Sequence, residues 1–164
     1  MGQYFMIVNI DKKEYIHPHR IGGGLKFWEI CANNGARLVP FLLRRSAEGG
    51  GGDAEEWYTP PPPGIQDDVE ASNTCGRWAG DRIVICGDYD TQDQAITKEE
   101  AQKDGWNMER LKPGDFTPEG LVKCTLYVFA QMRFKDISEK VAKDFNAFIN
   151  MKECEVAYRP RGGE

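Results

Sequence analysis

The sequence predicts an α+β fold: a small mixed β-sheet with three to four helices packed on it, in a single domain. Three observations carry this expectation. Residues 4–10 (Tyr-Phe-Met-Ile-Val-Asn-Ile) are aromatic and β-branched on both faces, as a strand covered on two sides must be. Val141, Phe145, Phe148 and Ile149 recur at the i, i+4, i+7, i+8 spacing of a helix with one apolar stripe. The chain has 164 residues, 40% of them hydrophobic and 29% charged, which fits one domain better than two. At this size roughly 70% of the unfolded surface is buried on folding, so stability requires neither metal nor disulfides.

Taken in order, residues 4–10 form a central strand, Asp11-Lys12-Lys13 a polar turn, and residues 14–17 the returning strand of a hairpin. Pro18 lacks a ladder donor and ends that strand or places it at an edge. After Gly22, Gly23 and Gly24, the residues Leu25, Trp28, Cys31 and Ala32 recur at helical spacing, and Gly35 is the expected C-terminal cap. A second short helix is expected over 38–45, with Pro40 in its first turn and Arg44-Arg45 complementing the dipole at its end. Residues 46–73 carry four consecutive glycines, an acidic patch, Trp57-Tyr58 and four consecutive prolines. They read as a flexible Gly/Pro-rich insertion rather than a lid, and as the most mobile internal segment. Residues 82–87 hold the buried strand Ile83-Val84-Ile85-Cys86 between two turns, and a short helix is expected near 98–104. Residues 121–134 carry both strand-type residues and a helical stripe, and helix is preferred. The helix through 141–149 is led by Asp136-Ile-Ser-Glu139 as a capping box or a Ser138 cap. Residues 154–158 are expected as a last strand and 159–164 as a frayed tail.

The net charge is −5, from 26 acidic and 21 basic residues, and the basic residues are dispersed, which argues against nucleic acid as a partner. The longest apolar stretches, 38–43 and 126–130, fall far short of the roughly 20 residues that cross a bilayer, so no membrane association is expected. The five cysteines are widely spaced with no C-x-x-C pair, which suits reduced thiols. The opening residues lack a secretion signal, and Met6 stands where a myristoylation motif needs Ser or Thr. A cytoplasmic protein is the expectation.

Three places could carry chemistry. His17 and His19, two apart in an extended chain, project from one face, and Asp88 is the carboxylate that would complete a divalent-metal shell for Zn²⁺, Mn²⁺ or Fe²⁺. Against this stand a missing further ligand and the local reading, in which the histidines bracket a proline turn and Gly87-Asp88-Tyr89-Asp90 is an acidic turn. Gly22, Gly23 and Gly24 lead into a helix with Arg20 and Lys26 beside them, an arrangement able to hold an anion, although glycines there more often make only a turn. Arg77 and Arg82 flank Trp78 and Asp81, offering a guanidinium fork and an aromatic platform to a planar anion, with a structural role weighed slightly above it. Nucleophilic catalysis has little support: Ser46, Ser72 and Ser138 lie in loop or cap contexts, and Cys31, Cys86 and Cys124 in apolar surroundings. Cys75 alone adjoins a polar loop.

The opening Gly2-Gln3-Tyr4-Phe5, the His17-Pro18-His19 step with its glycines, and residues 76–89 together resemble a pattern of small bacterial and phage proteins labelled only as hypothetical. The resemblance covers half the chain and implies no activity.

The function expected first is therefore a non-catalytic binding or interaction protein whose partner is another protein or a small anionic ligand. Second is a binder of a phosphorylated small molecule or nucleotide; third, a metal-dependent hydrolase built on His17 and His19. Both site readings require residues 17–24 and 76–90 to converge in one cleft, since both segments combine turn glycines with polar side chains at strand ends.

Overall fold

A computed structural model describes residues 2–45, 69–70 and 72–160. The described chain is α+β. Strands β1 (Phe5–Asn9), β2 (Glu14–Ile16), β3 (Ile83–Gly87) and β6 (Lys135–Asp136) form a mixed sheet in the order β3-β1-β2-β6. β1 is antiparallel to β2 and β3, and β6 is parallel to β2. A second, two-stranded antiparallel sheet joins β4 (Gln94–Ile96) to β5 (Val122–Cys124). Among the described residues five α-helices accompany them: α1 (Phe27–Ala32), α2 (Asn34–Leu43), α3 (Lys98–Lys103), α4 (Leu126–Arg133) and α5 (Ser138–Ile149).

The two-sided apolar pattern of β1 is explained by what covers each face. Ile7 and its β2 neighbour Ile16 pack with Leu38, Phe41 and Leu42 of α2, Val141 and Phe145 of α5, and Trp78. Met6 and Val8 face the other way, with Tyr15, Cys86 and Ala130 of α4. A third apolar cluster, Ile96, Ala101, Val122 and Cys124, sits under the β4–β5 sheet. No helix among the described residues is long and apolar enough to cross a membrane.

The hairpin turn is held by Asn9, whose side-chain oxygen accepts the Lys12 N–H at 2.8 Å, and by Lys13 in the left-handed region at φ 55°. Helix α3 closes a capping box: the Glu100 N–H donates to Thr97 Oγ1 at 3.1 Å and the Thr97 N–H to Glu100 Oε2 at 2.8 Å.

Several elements differ from the sequence expectation. Trp28, Cys31 and Ala32 do not face the core; Ile30 is the buried residue of α1. Gly35 is not a cap. Asn33, with extended backbone, separates α1 from α2, and Gly35 lies buried near the start of α2, where a Cβ would come within 2.9 Å of Ile30 Cγ2. Pro40 consequently stands inside α2, not in its first turn. Residues 121–134 divide between the two readings: β5 comes first, then Thr125 accepts the Val128 N–H at 3.4 Å and starts α4. Residues 154–158 are not a strand. Val156 is buried, but its N–H and C=O pair with the side-chain amide of Asn146 at 2.6 and 2.9 Å, which replaces a ladder partner. Ser138 does not cap α5 but is its first residue, after Ile137; Asp136 Oδ1 accepts both the Ser138 N–H at 3.0 Å and the Ser138 hydroxyl at 2.6 Å.

Of the insertion expected at 46–73, residues 46–68 and 71 lie outside the described residues. Its last part is packed: Val69 and Ser72 are buried, and Asn73 Oδ1 accepts the Cys75 N–H at 2.9 Å.

Candidate functional site

Residues 76–82 are tied to the β1–β2 hairpin. Glu14, only 4% exposed on β2, accepts from Arg77 Nε at 3.0 Å on both oxygens, from the second Arg77 nitrogen at 2.6 Å, and from Trp78 Nε1 at 2.8 Å. The guanidinium fork and aromatic platform anticipated for a planar anion are thus engaged by the chain's own carboxylate. Asp81 accepts from Asn9 Nδ2 at 2.8 Å and from Lys12 Nζ at 2.6 Å. Arg82 donates to Asp11 through its backbone at 2.7 Å and through Nε at 2.8 Å. Those bonds lower the Asp11 carboxyl below its ordinary range and raise the Arg82 guanidinium.

Residues 17–24 leave β2 at its other end. His17 donates its backbone N–H to Ser138 Oγ at 2.9 Å, and His19 is exposed on a 3-10 turn over Pro18–Ile21. Arg20 forms an ion pair with Asp136. Gly22, at φ 74°, and Gly23 close that turn on the Pro18 carbonyl. At Gly24 a Cβ would collide with the Glu29 carboxylate, which also accepts the Lys26 N–H at 2.9 Å. The anion position that the three glycines suggest is therefore filled by Glu29.

Asp88 does not join the histidines. Its Oδ1 accepts the Tyr4 N–H at 3.0 Å beside β1, and β1 stands between β3 and β2 in the sheet. No group of three or more His, Cys, Asp and Glu able to hold a metal occurs among the described residues, so His17, His19 and Asp88 do not assemble the expected divalent-metal shell.

A polar cleft of about 180 Å³ is lined by Arg20, Asp136, Glu139, Lys140, Lys143 and Tyr158. It takes Arg20 from the first predicted segment and nothing from the second. Its cations are matched within the chain: Arg20 to Asp136, Lys143 to Glu139 at 3.1 Å, and Lys140 to Asp144 at 2.8 Å. Burial raises the Tyr158 phenol.

The cysteines are all free thiols. Burial pushes Cys86 up to about 12 and Cys124 up to about 11, so both stay protonated at neutral pH. Cys75, expected beside a polar loop, is buried in the main core, whereas Cys31, expected in apolar surroundings, is exposed.

The feature that sequence reasoning missed is the outer edge of β3. Hydrogen bonds from the Asp88 N–H to the Tyr4 carbonyl at 2.9 Å and from the Ile10 N–H to the Arg82 carbonyl at 3.0 Å fix the alternation along the β1–β3 pair. Val84 and Cys86 are the strand residues bonded to β1, and Ile83, Ile85 and Gly87 direct their N–H and C=O groups away from it. The Gly87 carbonyl accepts the Asp90 N–H at 3.3 Å; among the described residues no strand lies beyond Ile83 and Ile85. Ile85 is 41% exposed on this edge. On the far side of β1 from this edge, where the Phe5 N–H donates to the Leu25 carbonyl at 2.7 Å, α1 opens with Phe27 at 51% and Trp28 at 65% exposure, the Phe27 ring 5.7 Å from that of Phe5. The strand Ile83-Val84-Ile85-Cys86 was expected to be buried, but β3 ends the sheet with Ile85 exposed, because an all-apolar run reads the same in a central and in an edge strand.

No protein family, curated protein or solved structure matches the chain.

Proposed function

We propose that this chain is a non-catalytic interaction protein that works through the outer edge of β3. The supporting observation is a strand edge with no strand beyond it among the described residues and with an apolar side chain, Ile85, exposed on it. β3 (Ile-Val-Ile-Cys-Gly) carries no charge and no proline, the usual devices that keep an edge from pairing. The opposite edge, β6, is two residues long and is Lys-Asp. One edge is guarded and the other is not. The charged groups that suggested ligand chemistry, by contrast, are bonded to one another: Glu14 with Arg77 and Trp78, Asp11 with Arg82, Asp136 with Arg20.

The test is site-specific photo-crosslinking in cells that make the protein. Benzoylphenylalanine at Ile85 is expected to yield discrete protein adducts, and the same group at exposed Lys103 on α3 is expected to yield none. No adduct at position 85, or the same adducts from both positions, overturns the proposal.

A further inference from the structure

Resting on that reading of the β3 edge as a docking surface, we infer that its occupant is a second copy of this chain, joined antiparallel, β3 to β3, about a two-fold axis through Ile85.

The geometry selects this register. Only Ile83, Ile85 and Gly87 present backbone groups outward, so a partner strand must bond to those residues. Placing Ile85 opposite Ile85 sets Ile83 opposite Gly87 and buries the most exposed apolar residue of the strand on its own copy. The same register sets Arg82, whose side chain is 74% exposed, opposite Asp88 at both ends. A shift by two residues in one direction puts Arg82 opposite Cys86 and loses both charge pairs; a shift in the other buries Asp88 against Val84. The edge is therefore complementary to itself in shape and in charge, as a closed two-fold interface requires.

A five-residue strand pair alone falls below the roughly 1,200 Å² of a specific interface. In the antiparallel arrangement the Gly87 end of each β3 meets Ile83 of the other copy, so the pair is held by strand hydrogen bonds, Ile85 and the two Arg82–Asp88 contacts, and its association is weak and depends on concentration.

Sedimentation equilibrium from micromolar to millimolar concentrations, read against the photo-crosslink from position 85, tests the inference. The parent protein is expected to pass from monomer to dimer over that range. Ile85→Lys, at an exposed position, is expected to weaken association at least about tenfold by setting two ammonium groups face to face. Arg82→Glu is expected to weaken it several-fold, and Arg82→Glu with Asp88→Arg to restore it. Because Arg82 and Asp88 also bond within their own chain, a second measurement avoids them. In a Cys31→Ser background, Ile85→Cys is expected to form an intermolecular disulfide on mild oxidation. Hydrogen-bonded antiparallel partners stand about 5.5 Å apart at Cα, within disulfide reach. Leu43→Cys, also on an exposed apolar residue, is expected not to. A monomer at every concentration, or a dimer indifferent to Ile85→Lys and to Ile85→Cys oxidation, overturns the second copy as occupant. If position 85 still crosslinks to another protein, the docking surface itself stands; a monomer without that crosslink overturns both.

Discussion

Glu14 shows how one buried carboxylate can absorb the residues that most resemble a binding site. Its two oxygens take Arg77 and the Trp78 indole, and the Arg77 side chain is 6% exposed, so neither partner has water to fall back on. Removing one member of such a pair strands the other charge, at a cost of about 3–5 kcal/mol. Glu14→Ala is accordingly expected to lower the urea midpoint and to drop the melting temperature by roughly 10 °C. Arg77→Met should cost a similar amount, and the double variant clearly less than the sum, because the pair is removed together. Additive losses would show that the two side chains are not coupled. The sequence marks Arg77 and Trp78 as notable residues, and their chemistry, a fork and an indole donor, is what the fold uses. Their partner lies 63 positions away for Arg77 and is one of 26 acidic residues, so nothing in local spacing singles it out.

At the level of elements, α3 and α4 are joined by Arg133, which donates to the two oxygens of Glu100 at 2.5 and 2.7 Å. Those bonds, with the Thr97 backbone, hold the Glu100 carboxyl down at about 2 against an ordinary 4.5. The folded state binds this proton less readily than the unfolded chain. The contribution is therefore complete above pH 4.5 and is lost as pH falls from there to about 2. Since the pair is solvent-exposed, the effect is small and screened by salt. Thermal melts of the parent and of Glu100→Gln are expected to differ at pH 6 and to converge by about pH 2; a constant difference across that range would rule out the pair as its cause. Elements with one dominant pattern were legible in the sequence: the stripe Val141, Phe145, Phe148 of α5, the two-faced β1, and β3 between its turns. Those defined by a contact were not. Val156 has the pattern of a strand residue, but a side-chain amide on α5 satisfies its backbone. Trp28 has helical spacing from its neighbours, but α1 is too short to turn it inward. In residues 121–134 both patterns were present because both elements are there, divided at the Thr125 cap.

For the whole molecule, the order β3-β1-β2-β6 puts the two most buried strands, β1 and β2, in the middle and leaves a charged edge at β6 and, among the described residues, an uncovered one at β3. Backbone amides report this directly. Met6, Ile7 and Val8 are fully buried in a strand paired on both sides, and the amides bonded into its ladders open only with global unfolding. Along β3 protection must alternate. The amides of Val84 and Cys86 are bonded to β1, and those of Ile83 and Ile85 point away. In dilute protein, hydrogen exchange is expected to be slow at Val84 and orders of magnitude faster at Ile85. As concentration rises through the range where two copies associate, Ile85 should become protected while Val84 changes little, because its bond lies inside one chain. Ile85→Lys should leave position 85 fast at every concentration. An Ile85 amide as slow as that of Val84 in dilute solution would mean that the chain covers its own edge, and β3 would then have no free groups with which to recruit a partner.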